Sequence, residues 1–337
     1  MASAYARWVG RWEYRLATRD NNRVVRPFEW GLDWLGIAAN GDPGAQVRKY
    51  VSQALADSDA FFSYRTPSDY RLDQTHLTFT SPVGSPYPEN NLVHSEFFPC
   101  ARDRGRALVV LPQWNAEESS HVGLCRLLNR FGLSALRMSL AYHDRRKPPG
   151  IQRADYHVSS NVGRTLHAGR QSVIDARSCL DWLEQRGYTR LGILGTSLGS
   201  CIGFIAAAHD SRVRVAILNH VSTYFSDVVW TGFSTRHMHE SFAAAITQDD
   251  LRDFWAPISP AAYFDRLTGR DLTSLLIWAR YDTTFLPQFS QDVLRTFRER
   301  GFRHEVVTLP CGHYTTGEAP FKFLDGFAMC RFAAKYL

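Results

Sequence analysis

The stretch RLGILGTSLGSCIGF, residues 190–204, decides the fold. An apolar run from Leu191 to Leu194 passes through Gly195-Thr196-Ser197-Leu198-Gly199 into small and apolar residues. A short apolar run bounded by glycine suits a buried strand, and the Ile202, Phe204 and alanine positions that follow suit a helix. A serine at that junction sits either in a plain tight turn or on a sharp elbow that lifts its hydroxyl clear of the backbone. The Gly-x-Ser-x-Gly pentapeptide alone decides nothing. Its setting, strand before and helix after, favours the elbow, with the glycines leaving room for the turn and for close helix–strand packing.

Working outward, strand and helix patterns alternate. Upstream, THLTFTSPV (75–83) and LVHSEFFPC (92–100) read as two strands flanking a Pro/Gly/Asn turn region, RALVVLPQW (106–114) as a strand covered on both faces, HVGLCRLLNRFG (121–132) as a helix, and LSALRMSL (133–140) as a strand again. Residues 162–187 form the longest helix candidate, with Leu166, Gly169, Val173, Ala176, Leu180 and Leu183 on one apolar face. Downstream come strands at 213–221, 274–282 and 304–310 and helices at 289–301 and 321–337. Repeated strand-helix-strand units predict an α/β fold, a mostly parallel sheet with helices on both faces and an antiparallel opening edge. Two parts stand outside the repeat. Residues 1–75 carry four of the nine tryptophans and no βα unit, which predicts an N-terminal extension packed on a core of residues 76–337. Residues 222–271 interrupt the alternation with an aromatic and polar mixture, the mark of a cap or lid insertion.

A serine hydroxyl needs a base, usually a histidine oriented by a carboxylate. In ARYDTTFLP, Asp282 follows a strand; in PCGHYTTG, His313 lies in a glycine-containing loop after the next strand. Both fall at the carboxyl ends of strands, the edge where open α/β sheets bind ligands. Asp227 is a rival acid, and His220 and His304 are rival histidines in less telling loops.

GTSLG, ARYD and PCGHYT, in that order, resemble the α/β-hydrolase superfamily over roughly residues 76–337. The resemblance implies Ser197 as nucleophile, His313 as general base and Asp282 as the group that orients it, on a mostly parallel eight-stranded sheet with an inserted cap. An oxyanion needs two preorganised N–H donors. The elbow offers Leu198; the second is expected from the loop after residues 107–111, where many relatives carry His-Gly and this chain reads Pro112-Gln113-Trp114-Asn115. By position Trp114 is favoured, with Gln113 second. Tyr142 and His143, in the loop after the next strand, are expected either to meet substrate or to anchor that loop.

The expected activity is cleavage of a small-molecule carboxylic ester without a cofactor. Acyl transfer or thioester cleavage on the same three residues stays open, as does a catalytically silent binding protein. His237 and His239 form a spaced pair without an obvious third ligand, so no metal site is expected. The formal charge of +6 is mild for 337 residues and the basic residues are scattered, which argues against nucleic-acid binding. No run of about 18 apolar residues and no apolar leader core is found, so a cytoplasmic location without membrane association is the default expectation, a weak alternative being membrane contact by the Trp/Arg-rich N-terminus. The six cysteines are widely spaced and predict neither a disulfide framework nor a zinc site. Nothing in the sequence specifies an oligomeric state.

Overall fold

The computed structural model describes residues 4–20 and 22–337. Nine strands form one sheet: β1 Arg71–Asp73, β2 His76–Thr80, β3 Leu92–Phe98, β4 Arg106–Leu111, β5 Ser134–Met138, β6 Arg190–Thr196, β7 Val213–Asn219, β8 Thr273–Ala279 and β9 His304–Leu309, in the order β1-β2-β3-β5-β4-β6-β7-β8-β9. The pairs from β5 through β9 are parallel and those from β1 through β3 to β5 antiparallel, the mixed pattern expected from the sequence. There is one strand more than the eight implied by the resemblance. The added strand is the three-residue β1, exposed throughout and drawn from the segment expected to lack a repeat unit. Too short to bury a face, it leaves no hydrophobic pattern to read.

The central strands are apolar because helices cover both faces. Val109, Ile193, Ala216 and Leu276 belong to one core, and Leu108, Val110, Leu194, Ile217 and Ile277 to the other. Alternate residues of the same strand thus feed opposite layers. The helix Val162–Gln185 is capped by Asn161, whose side chain accepts from the Arg164 amide at 2.8 Å. Its sequence predicts one apolar face, yet it is buried nearly all round. The segment between residues 28 and 70 lies over its outer side: Tyr70 Oη donates to the Ser178 carbonyl, Tyr64 Oη to Asp181, and Arg170 Nε to the Phe61 carbonyl. The polar outer face is satisfied by these groups instead of water.

The helix Ala4–Ala17 turns Val9, Glu13 and Ala17 inward. Between β7 and β8 the chain forms short helices, Phe225–Thr231, Arg236–Ala243 and Gln248–Phe254, followed by 3₁₀ turns. Among the described residues no helix is long and apolar enough to cross a membrane.

Candidate active site

Ser197 joins β6 to the helix Leu198–His209 with φ 56° and ψ −120°, a conformation costly for a residue with a side chain. The surroundings hold it there. A Cβ on Gly195 would lie 2.1 Å from the Gly199 carbonyl oxygen, and one on Gly199 would lie 2.2 Å from that of Leu111, so neither position admits a side chain. The Ser197 amide donates to the Asn219 carbonyl at 2.7 Å, tying the elbow to the end of β7.

His313 sits in the loop after β9, its Nε2 3.1 Å from Ser197 Oγ and its Nδ1 2.9 Å from Asp282 Oδ2. A carboxylate only accepts, so Nδ1 carries the proton and Nε2 offers its lone pair to the serine hydroxyl. Asp282, just beyond β8, is fixed in turn: Oδ1 accepts from the Thr284 amide at 2.8 Å and the Phe285 amide at 2.7 Å. Phe285 lies flat against the His313 ring, centroids 5.4 Å apart. Burial would raise the Asp282 pKa, but His313 and His220 outweigh it and hold the carboxyl below its ordinary range. For His313, burial pushes the imidazole down, while Asp282 and then Glu13 push it up, and the net shift is upward.

The structure thus brings together the three residues singled out in the sequence. It adds two more, one of which, Glu13, the sequence did not mark. His220, a rival histidine in the sequence, is fully buried beyond β7 with Nδ1 2.9 Å from Asp282 Oδ2, off the axis along which the nitrogen points. Burial keeps its pKa below the ordinary value. Glu13, on the N-terminal helix, accepts from the backbone amides of Tyr314 and Thr315 and from the Thr315 hydroxyl.

Ser197 and His313 open on a cavity of about 1120 Å³, at or above the upper end of the usual range for ligand sites. Leu198, Gln113 and Trp114 line it too. Leu198 is the first residue of its helix, where helix geometry supplies no acceptor for the amide. The contact of Gly199 with the end of β4 brings the 112–115 loop against the elbow. That loop is pinned: Trp114 Nε1 donates to the Ala154 carbonyl at 3.0 Å, Asn115 Oδ1 accepts from the Ala154 amide at 2.8 Å, and the Arg153 guanidinium lies 5.0 Å from the Trp114 ring. Phe225, Val228 and Val229 of the insertion form an apolar wall; Leu124, Leu127 and Met329 form another beyond the serine. Asp325 also faces this region, donated to by Asn219 Nδ2 at 2.8 Å, and burial raises its pKa to about 7.

Of the two expectations for Tyr142 and His143, substrate contact requires a correction and loop anchoring is what the geometry shows. Both are buried outside the cavity lining: the Tyr142 amide donates to Asn90 Oδ1, the ring packs with Tyr87 and Tyr156, and His143 Nδ1 lies 2.8 Å from the Ala141 carbonyl. The loop after β5 is held inward by Arg146, wholly buried, which reaches Asp175 at 2.8 Å and donates to the Asn90 and Ser139 carbonyls. The rival acid Asp227 is paired with Arg252, and His304 turns to the Phe302 carbonyl. His237 stacks on Trp114 while His239 faces the Trp230 carbonyl, so the two do not converge. Among the described residues, His220, Asp282 and His313 form a group whose ligand atoms lie within 4.8 Å of one another.

A serine on a sharp strand-to-helix elbow at the carboxyl edge of a mostly parallel sheet, followed in the chain by an acid and a histidine that meet it, is the arrangement of the α/β-hydrolase fold. The family model described as alpha/beta hydrolase domain containing 18 matches residues 124–254, a span that includes the elbow. Comparison with curated protein sequences gave no match. Among solved structures, the acetyl xylan esterase from Paenibacillus sp. R4 superposes with a TM-score of 0.60 at 15% identity, covering 87% of this chain and 99% of that one. Acetyl xylan esterase 1 from Thermoanaerobacterium sp. JW/SL YS485 gives 0.60 at 15%, covering 86% and 93%. The Pyrococcus horikoshii acylaminoacyl peptidase gives 0.59 at 12%, covering 83% of this chain and 44% of that one. At these identities the likeness is one of fold. The chain has the α/β-hydrolase fold, and the family model that matches its residues 124–254 is one of an α/β-hydrolase domain.

Proposed function

We propose that the protein is a serine hydrolase acting on carboxylic esters through an acyl-enzyme, with no cofactor. The observation that carries this reading is the continuous relay from Ser197 Oγ through His313 to Asp282 at the wall of a large cavity. Ser197 attacks the ester carbonyl while His313 Nε2 takes its proton. Asp282 keeps the proton on Nδ1 and stabilises the imidazolium as it forms. The amides of Leu198 and of Trp114 or Gln113 receive the oxyanion. The imidazolium then protonates the departing alcohol, and water repeats the sequence on the acyl-enzyme. Residues 222–271 act as a cap whose apolar wall takes part of the substrate, and residues 1–75 as an extension fixed to the 76–337 hydrolase domain. The esterases and the peptidase that share the fold are compatible with acyl chemistry here.

The test is burst kinetics with p-nitrophenyl acetate, butyrate and octanoate on the wild type and Ser197→Ala. The expected result is a burst followed by turnover, with kcat reduced by about 10⁴-fold or more in Ser197→Ala. A burst that stalls until an alcohol or amine is added turns the reading to acyl transfer. Equal rates for the two proteins overturn it.

A further inference from the structure

The loop that carries His313 is not held by its own residues alone. Glu13, fully buried, meets three donors in that loop: the Tyr314 amide at 2.9 Å, the Thr315 amide at 2.9 Å and Thr315 Oγ1 at 3.0 Å. Its carboxyl group fills the space over Gly312, where a Cβ would lie 2.4 Å from Glu13 Cδ. A carboxylate accepts along several directions at once, so one side chain satisfies two consecutive amides and a hydroxyl that would otherwise be buried unpaired. The carboxylate comes from the opposite end of the chain, on a helix seated by Val9 and Ala17, both fully buried.

We propose that Glu13 is a positioning residue for His313, so that the N-terminal helix Ala4–Ala17 forms part of the reaction machinery. This deepens the hydrolase reading and rests on it for its kinetic consequence. The ionisable groups facing His313 are Asp282 from the loop after β8, His220 from the loop after β7 and Glu13 from the helix. Tyr314 beside it faces Arg23, with Asp20 and Arg153 beyond. Glu13 is thus a negative group near His313 besides Asp282, and it favours the imidazolium while fixing the loop. Its neutral isostere would lower the His313 pKa. A glutamine would also turn an NH₂ group toward an amide that needs an acceptor.

The experiment compares wild type, Glu13→Gln and Val51→Ala as full chains, with Ser197→Ala as the labelling control. It measures fluorophosphonate labelling of Ser197 against pH, thermal stability, and titration of the His313 imidazole by NMR. Val51→Ala opens a small cavity in a different helix, Pro43–Ala56, and so reports on loss of stability alone. In Glu13→Gln the first-order labelling rate should fall on the order of ten- to a hundred-fold, with the apparent reagent affinity little changed. The acid limb and the His313 titration should both move to lower pH. Val51→Ala should label near the wild-type rate with an unmoved titration. The proposal is overturned if folded Glu13→Gln labels and titrates as wild type, or if Val51→Ala reproduces both changes. Absence of labelling in the wild type would sink the hydrolase reading instead, and the His313 titration would then decide the role of Glu13 by itself.

Discussion

His313 can act as a base only when neutral, so its environment sets the lower pH limit of activity. Its pKa is raised in the fold, and acylation should therefore climb with pH through a midpoint above the ordinary histidine value. Asp282→Asn removes the acceptor that fixes the proton on Nδ1. Single-turnover acylation should drop by about 10⁴-fold with a retained fold, and a loss under ten-fold would show that Asp282 does not orient the ring. Ser197, Asp282 and His313 were legible because each stands next to an apolar strand, in a loop whose residue types have little other purpose. Glu13 was not legible. EYRL in an amphipathic helix reads as a solvated charge, and its partners lie about 300 positions away. Tyr142 and His143 stand in as suggestive a loop as Asp282 and His313, and only the inward pull of Arg146 decides their fate.

Among the helices, an apolar face was legible in the sequence, while a polar face buried by another segment was not. The helix Val162–Gln185 shows the difference: its periodic face was read, while Gln171, Asp175 and Ser178, polar and fully buried, belong to a face covered by another segment. Asp175 is matched by Arg146 at 2.8 Å and by the Ser81 hydroxyl at 2.6 Å. Burial raises its pKa and Arg146 counters that rise. Arg146→Ala would strand the carboxyl in the interior, at a cost of about 3–5 kcal/mol in chemical denaturation. The double change Arg146→Met with Asp175→Leu should recover much of the loss, since it removes both charges and keeps volume. If the single change is harmless, the pair does not hold the loop after β5 in place.

At the scale of the whole molecule, a buried acid links stability to pH. The native Asp325 carboxyl keeps its proton up to about pH 7, whereas the unfolded one releases it near 3.8. Between those values the native state binds more protons, so its contribution to stability falls as pH rises from about 4 to about 7. Asp325→Asn should flatten this decline and make the protein more stable than wild type at pH 8, on the order of 1–3 kcal/mol, with little difference at pH 4. A wild-type profile that is flat across the window, or an unchanged one in the variant, would refute the assignment. The molecule as a whole was legible as a sheet with an elbow, because β4 to β9 repeat one unit. The wrapping of residues 28–70 and the shape of the cavity were not, because they arise from contacts between segments that share no local pattern.

The tie between Glu13 and Thr315 spans 302 positions. Drawing together chain ends so distant has an entropic cost that grows with the logarithm of the separation. Such a contact is unfavourable until the sheet between its ends is in place. The expected order of assembly is therefore strands and elbow first and the histidine loop last. A chain arrested part-way would hold Ser197 on a finished scaffold without His313 aligned to it. On the proposed reading, reactivity at Ser197 would then await the meeting of segments from opposite ends of the chain, a control that resides in topology.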